Sequence, residues 1–287
     1  MTSAEICAGT ASAAVYRKTS PSPATYDRSP VSKAATSTLG YLLVAILACL
    51  CPPKALASER KPLVIIDAGH GGHDPGALSV AGGFEKDITL GIALQIRDTL
   101  LNDGKVRVLL TRSKDLYIAP YVRRKIAQGA QADLLISIHA DIAGDPTVRG
   151  LAAYALSDEE GERVLNRVFE SKRRNPATNI SNPNEYFNII DIIQREVRNL
   201  SIKFADIVST LNESHSLKAR GYRFAGFAVL KAHDVPSVLI EAGFISNADD
   251  AQYLKTGTGK KQVAQHIVKS IYKYFYPGRH TINAEKF

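Results

Sequence analysis

From Lys61 onward, short and nearly continuous apolar runs alternate with segments of helical period, and this alternation restricts the fold more than any other feature of the chain. A short apolar run bounded by turn formers reads as a strand buried on both faces, and helices between such strands give the crossovers that parallel pairing requires. Residues 63–66, 106–110, 134–138, 151–156, 227–230 and 238–240 are expected to be strands. Residues 85–101 carry Ile88, Ile92, Ile96 and Leu100 on one helical face, and Asn102-Asp103-Gly104 supplies the stop. Further helices are expected at 119–129, about 187–211 and 262–274. The polar stretch 157–186, with Lys172-Arg173-Arg174 and the turn formers Asn175-Pro176 and Asn182-Pro183, reads as an insertion into the layered core. No internal repeat or long linker follows Glu59, so one α/β domain with a mostly parallel sheet is expected.

Ahead of this pattern stands a different kind of sequence. Residues 1–37 are rich in Ser, Thr, Ala and Pro, and an apolar run of about 13 residues follows from Leu39 to Cys51, short of the roughly 20 that span a bilayer. Ala55-Leu56-Ala57 then places small residues where a signal peptidase reads them, which predicts a leader over 1–57, cleavage before Ser58 and an exported protein, periplasmic in the first instance. An uncleaved anchor, or a lipoprotein attached at Cys49, are the rival outcomes, and with them a membrane-anchored location. All three cysteines (Cys7, Cys49, Cys51) fall in the leader. The mature chain 58–287 is therefore expected to lack thiols, so that any metal must be held by imidazole and carboxylate.

The formal net charge of +8 shrinks once the leader is set aside. Taking its five basic and two acidic residues from totals of 36 and 28 leaves a net charge of +5. That excess suits a polyanion, such as a carboxylate-rich wall polymer or an anionic surface. No arginine-rich helix or aromatic-interleaved basic run points to nucleic acid.

Four polar residues stand at the ends of the expected elements: His70 after the first strand, Glu85 at a helix start, and His139 and Glu241 at strand ends. The carboxyl ends of parallel strands line one edge of a sheet, so side chains spread over about 170 residues can converge there. Two imidazoles and a carboxylate make a three-ligand zinc site with a fourth position for water, leaving a spare carboxylate. Zinc polarises an amide oxygen and lowers the pKa of water toward about 7. A neighbouring glutamate can then move the proton. Each residue also has an ordinary role: His70 as a turn or capping residue, Glu85 as complement to a helix dipole, and the strand-end residues as polar closures.

The segments 64–77 (from Val64 through Asp67, Gly69, His70 and His73 to Ala77), Phe84-Glu85-Lys86-Asp87, Thr111-Arg112-Ser113-Lys114-Asp115, 132–141 and 235–247 together resemble the zinc-dependent N-acetylmuramoyl-L-alanine amidases used in cell separation. The resemblance implies an αβα sandwich with helices on both faces of the sheet. It implies one zinc per chain held by His70, Glu85 and His139, with Glu241 as the catalytic carboxylate. It implies hydrolysis of the lactyl amide between glycan and stem peptide in peptidoglycan. Asp67 and Ser137, beside ligands, are expected to orient them. His73 is read as a bystander, and Arg112 and Arg123 as structural residues with some access to anionic substrate.

In Gram-negative members an inserted helical segment covers the zinc until an activator protein displaces it, and residues 157–200 lie where that segment belongs. A blocking segment must offer a carboxylate. Glu170 is the candidate, with Glu159, Glu160, Glu162 and Glu185 sharing its chemistry, although the Lys172-Arg173-Arg174 surroundings depart from the family's segment. A monomer that binds peptidoglycan and an activator, and no nucleic acid, is expected. A zinc peptidase acting on the stem, or a catalytically silent wall-binding regulator, are the competing functions.

Overall fold

The computed structural model describes residues 60–175, 180–211 and 218–278. The leader over 1–57, its cleavage point after Ala57, the three cysteines and Pro176 lie outside the described residues. Six strands, β1 (Leu63–Ala68), β2 (Arg107–Leu110), β3 (Leu134–His139), β4 (Leu151–Leu156), β5 (Ala219–Ala225) and β6 (Ser237–Glu241), form one sheet. The helices are α1 (Glu85–Asp103), α2 (Pro120–Gly129), α3 (Asp158–Arg173), α4 (Pro183–Thr210), α5 (Ala248–Lys255) and α6 (Gly257–Phe275). The sheet order is β2-β1-β3-β6-β4-β5, and only the β4–β6 pair is antiparallel.

β1 and β6 are buried along their whole length and β3 along all but its last residue, as apolar strands covered on both faces must be. Alternate residues serve opposite cores. Val64, Ile66, Ile136, Ile138, Val238 and Ile240 meet α1, the second half of α4, and α6. Leu63, Ile65, Leu135 and Leu239 meet α2, α3 and a 3-10 turn at Ala228–Leu230. Each such side chain stabilises the sandwich by roughly 1.5–3 kcal/mol, so water is excluded from both faces by accumulation rather than by any single contact. α1 ends where expected, with Gly104 in the left-handed region (φ 60°) donating its N–H to Leu100 O at 3.0 Å.

Two elements differ from the sequence expectation. Residues 227–230, expected as a strand, form the 3-10 turn, which drops Val229 and Leu230 into the second core; the strand is β5, eight residues upstream at its start. Its composition hides it. β5 is an edge strand paired only with β4, so Arg220, Gly221 and Arg223 are tolerated where a central strand would need apolar residues. The inserted segment after Ser157 is helical over Asp158–Arg173, as expected: Ser157 caps α3, acids fill its first turn and Lys172 and Arg173 its last. α4 begins with Asn182 as cap and Pro183 in the first turn, and α5 and the early start of α6 rest on caps by Asn247 and Thr256.

α4 therefore has two characters. Ile189, Ile192 and Ile193 near its start are exposed, whereas Phe204, Ala205, Ile207 and Val208 are core. Phe204 is fully buried and stands edge-to-face on Tyr274 with ring centroids 5.5 Å apart. Phe204→Ala is expected to cost about 3–5 kcal/mol in urea denaturation. Ile192→Ser, at a 67% exposed position, is expected to change stability by less than about 0.5 kcal/mol. Similar values for the two would remove the second half of α4 from the core.

Candidate metal centre

Strand parity decides which side chains meet. β1 and β3 pair so that Asp67 stands opposite Ser137, and β3 and β6 so that His139 stands opposite Glu241. All four project on the side of Leu63, Ile65, Leu135 and Leu239, because residues two apart share a face. They also stand within two residues of the carboxyl ends of their strands, where an open α/β sheet presents its crevice.

His70 follows β1 in a backbone conformation rare for a residue with a side chain, at φ 59°. Two buried guanidiniums hold that turn. Arg123 donates to Ala68 O and, at 2.7 Å, to His70 O; Arg112 donates to Ala68 O at 2.9 Å and to Gly69 O at 2.8 Å. Arg123 is itself paired with Asp67 Oδ1 at 2.9 Å, and Asp67 also accepts the hydroxyls of Thr111 and Ser137, each at 2.6 Å. Gly69 must be glycine for a simple reason: a Cβ there would lie 2.5–2.8 Å from the His139 ring.

Glu85 enters from the first turn of α1 and is 2% exposed. One carboxylate oxygen accepts the Ala77 N–H at 3.0 Å and faces His70 Nε2 at 3.0 Å. The other accepts the Ala140 N–H at 3.0 Å and faces His139 Nδ1 at 3.0 Å. One donor atom from each of His70, Glu85 and His139 falls within 4.8 Å of the others, a separation that a single ion can bridge. On the far side of its ring, His70 Nδ1 donates to Asp74 Oδ2 at 2.9 Å, which turns the Nε2 lone pair inward.

The electrostatics agree with the geometry. Burial opposes charge on His70, but Glu85 and Asp74 outweigh it and push the imidazole up to about 9. His139 is raised as well, burial being outweighed by Glu85 and Glu241. Burial likewise opposes ionisation of Glu85, yet the two imidazoles hold it below the usual carboxylate range. The space between the three side chains thus stabilises positive charge, whether protons or a cation carry it. Two imidazoles and one carboxylate are the donor set of a catalytic metal site with an open position, and the residues present fit such an ion.

Glu241 is 4% exposed and accepts the Asp141 N–H at 3.0 Å. Burial pushes it up to about 7, against the pull of His139 and with the help of Glu85. A carboxyl near neutrality is suited to taking and returning a proton. A cavity of about 170 Å³ opens beside the centre, lined by His70, Asp74, His139, Ile118 and Phe227 among others.

Several expected roles are refined here. Asp67 and Ser137 do not touch either imidazole; Asp67 acts on His70 only through Arg123. Asp74 is the residue in direct contact and was missed; its place four residues after His70 in a glycine-rich loop was the signal available. Arg112 and Arg123 are 3% and 4% exposed and spend their donors mainly on backbone carbonyls and on Asp67, and Arg123 also lines the cavity. His73 packs against Tyr117 with ring centroids 4.1 Å apart and planes tilted by 40°, and is not in the donor group. Glu170 is not brought to the centre: its carboxylate pairs with Arg173 at 3.1 Å and Arg174 at 3.7 Å. No described residue of 157–200 lines the cavity.

Comparison with known proteins places this arrangement in a family. Residues 64–273 match the family model described as N-acetylmuramoyl-L-alanine amidase. The amidase AmiA of Escherichia coli K12 is 34% identical over 232 residues, covering 78% of this chain and 80% of that protein. AmiC of Escherichia coli O6:H1 is 34% identical over 235 residues, 79% of this chain but 56% of the longer relative. Among solved structures, the catalytic domain of the amidase CwlV from Bacillus (Paenibacillus) polymyxa is 27% identical at a TM-score of 0.55, covering 75% of this chain and 98% of that domain. AmiC2 of Nostoc punctiforme is 27% identical at a TM-score of 0.54, covering 75% of this chain and 97% of that one. With the family model matched from β1 to the last turn of α6, the chain belongs to the N-acetylmuramoyl-L-alanine amidase family.

Proposed function

We propose that this protein is a zinc-dependent peptidoglycan hydrolase that cleaves the amide between N-acetylmuramic acid and the L-alanine of the stem peptide. It would act outside the cytoplasmic membrane in wall remodelling and daughter-cell separation. The convergence of His70, Glu85 and His139 beside the strand position of Glu241 carries this proposal. Zinc bound by those three residues would polarise the amide carbonyl and acidify water.

The chain's own groups do the rest. Asp74 keeps a proton on His70 Nδ1 and so leaves Nε2 free as a donor. The Ala77 and Ala140 N–H groups fix the Glu85 carboxylate, so neither oxygen can swing away from its imidazole. Glu241 takes a proton from the attacking water and delivers it to the nitrogen of the departing L-alanine as the carbon–nitrogen bond breaks. The Asp141 N–H holds the carboxylate in the aspect from which it can do both.

Residues 157–200 are further proposed to restrain the enzyme until a partner protein engages them; since none of the described residues among them lines the cavity, the restraint would act through the second core, which α3 joins with Val164, and not by a side chain placed in the centre. The exposed Ile189, Ile192 and Ile193, on one side of α4, support a protein contact there.

Purified 58–287 supplied with zinc is expected to release stem peptides bearing a free L-alanine amine, leaving denuded glycan. Product mass separates this from cleavage within the stem, and intact sacculi after long incubation, even with the inserted segment removed, would refute the assignment. Glu241→Gln is expected to keep its zinc and lose turnover by about 10²–10⁴-fold, whereas His139→Ala loses zinc and turnover together. Zinc analysis beside the same digest distinguishes them. Deleting residues 157–198 is expected to raise basal activity; equal or lower activity in a folded variant would end the proposal of restraint.

A further inference from the structure

Asp250 is fully buried, yet nothing in the chemistry above uses it. It occupies the third position of α5, where an acidic side chain ordinarily reaches back to the capping residue's own N–H. Here that N–H is already taken by Phe244 O at 3.0 Å, and the Asn247 side chain accepts the N–H groups of Asp249 and Asp250. Asp250 turns inward instead. Its Oδ2 accepts the Phe244 N–H at 3.0 Å and the Gly150 N–H at 2.7 Å, joining the loop after β6 to the residue before β4. Its Oδ1 accepts no hydrogen bond, and Arg149 Nε stands 3.6 Å away. A carboxylate taken wholly out of water costs several kcal/mol, which helix capping alone does not require, since an exposed side chain caps as well.

The two N–H groups it binds lead directly to the centre. In the loop after Glu241, the Ala242 N–H donates to His139 O and the Ile245 N–H to Asp141 O, each at 2.8 Å. Ile245 O in turn accepts the Val80 N–H at 3.0 Å, so the loop is tied on both sides. Asp141 is the residue whose N–H holds the Glu241 carboxylate. We infer that Asp250 is a positioning residue for Glu241, anchoring the 242–247 loop so that it presents the Asp141 N–H to the catalytic carboxylate. The inference rests on the proposed role of Glu241.

Asp250→Ala in the full-length protein is expected to lower kcat by about 10- to 100-fold, the scale of a misplaced catalytic group, with KM changed less than about twofold. Zinc stoichiometry stays at the wild-type value, and amide exchange accelerates at Asp141 as well as at Phe244 and Gly150. Asp250→Asn, which keeps an acceptor oxygen, restores slow exchange at Asp141 and most of kcat. Should alanine prevent folding, Asp250→Ser carries the same measurements with a shorter acceptor. Wild-type kcat with unchanged Asp141 exchange in Asp250→Ala would overturn the inference, as would loss of zinc in parallel with kcat, which marks general structural damage. Glu241→Gln run alongside separates the two claims. Normal turnover there sinks the catalytic role of Glu241, while Asp141 exchange in the Asp250 variants still reports whether the anchor works.

Discussion

The parallel registration of β1, β3 and β6 is the constraint on which the rest depends. Because it sets His139 opposite Glu241 and Asp67 opposite Ser137, one choice of register places four polar side chains on one face at one edge. A slip by a single residue would turn each of them into the opposite core, which is built from Val64, Ile66, Ile136, Ile138, Val238 and Ile240. The apolar residues of these strands thus fix the site as firmly as its own polar contacts do. Burying the alternate set correctly and aligning the polar set are the same event.

Buried charge then does what apolar packing cannot. His70 must leave β1 through a left-handed backbone, a conformation that costs of order 1–3 kcal/mol for a non-glycine residue. Arg112 and Arg123 hold the carbonyls of residues 68, 69 and 70 in place, and Asp67 neutralises Arg123 from behind. Such a cluster is unforgiving. Breaking a buried pair by removing one partner typically costs about 3–5 kcal/mol, so the turn has little freedom to relax toward an ordinary conformation. Rigid support of this kind is what a donor atom needs if it is to face an ion without rearrangement.

How much of this was readable in the sequence follows from how local the signal is. The central strands announced themselves, since strands covered on both faces are apolar over most of their length, and the polar residue that closes β3 and β6 marked the candidate positions His139 and Glu241. β5 was unreadable because an edge strand pairs on one side only and is half exposed, so Arg220 and Arg223 broke the pattern. The 3-10 turn at Ala228–Leu230 was taken for a strand because a short apolar run is the same string of residues whether it enters the core as a strand or as a turn. Asp74 and Asp250 escaped for another reason. Each works through contacts that only the three-dimensional structure shows, an imidazole edge in one case and two backbone N–H groups, one of them 100 residues away in sequence, in the other.

Glu85 illustrates why ordinary and functional readings of a residue need not compete. A glutamate in the first turn of a helix is stabilised by the helix dipole, which favours negative charge at that end. Here the same charge is shared between two imidazoles, and each oxygen also takes one backbone N–H. The two imidazoles, helped by the Ala77 N–H, keep the carboxylate ionised in a place that is nearly dry, where burial alone would neutralise it. What looks like routine helix complementarity is therefore also what makes the space between the imidazoles favourable to a cation. An uncharged carboxyl at this position would leave two imidazoles with no counter-charge to draw a cation between them.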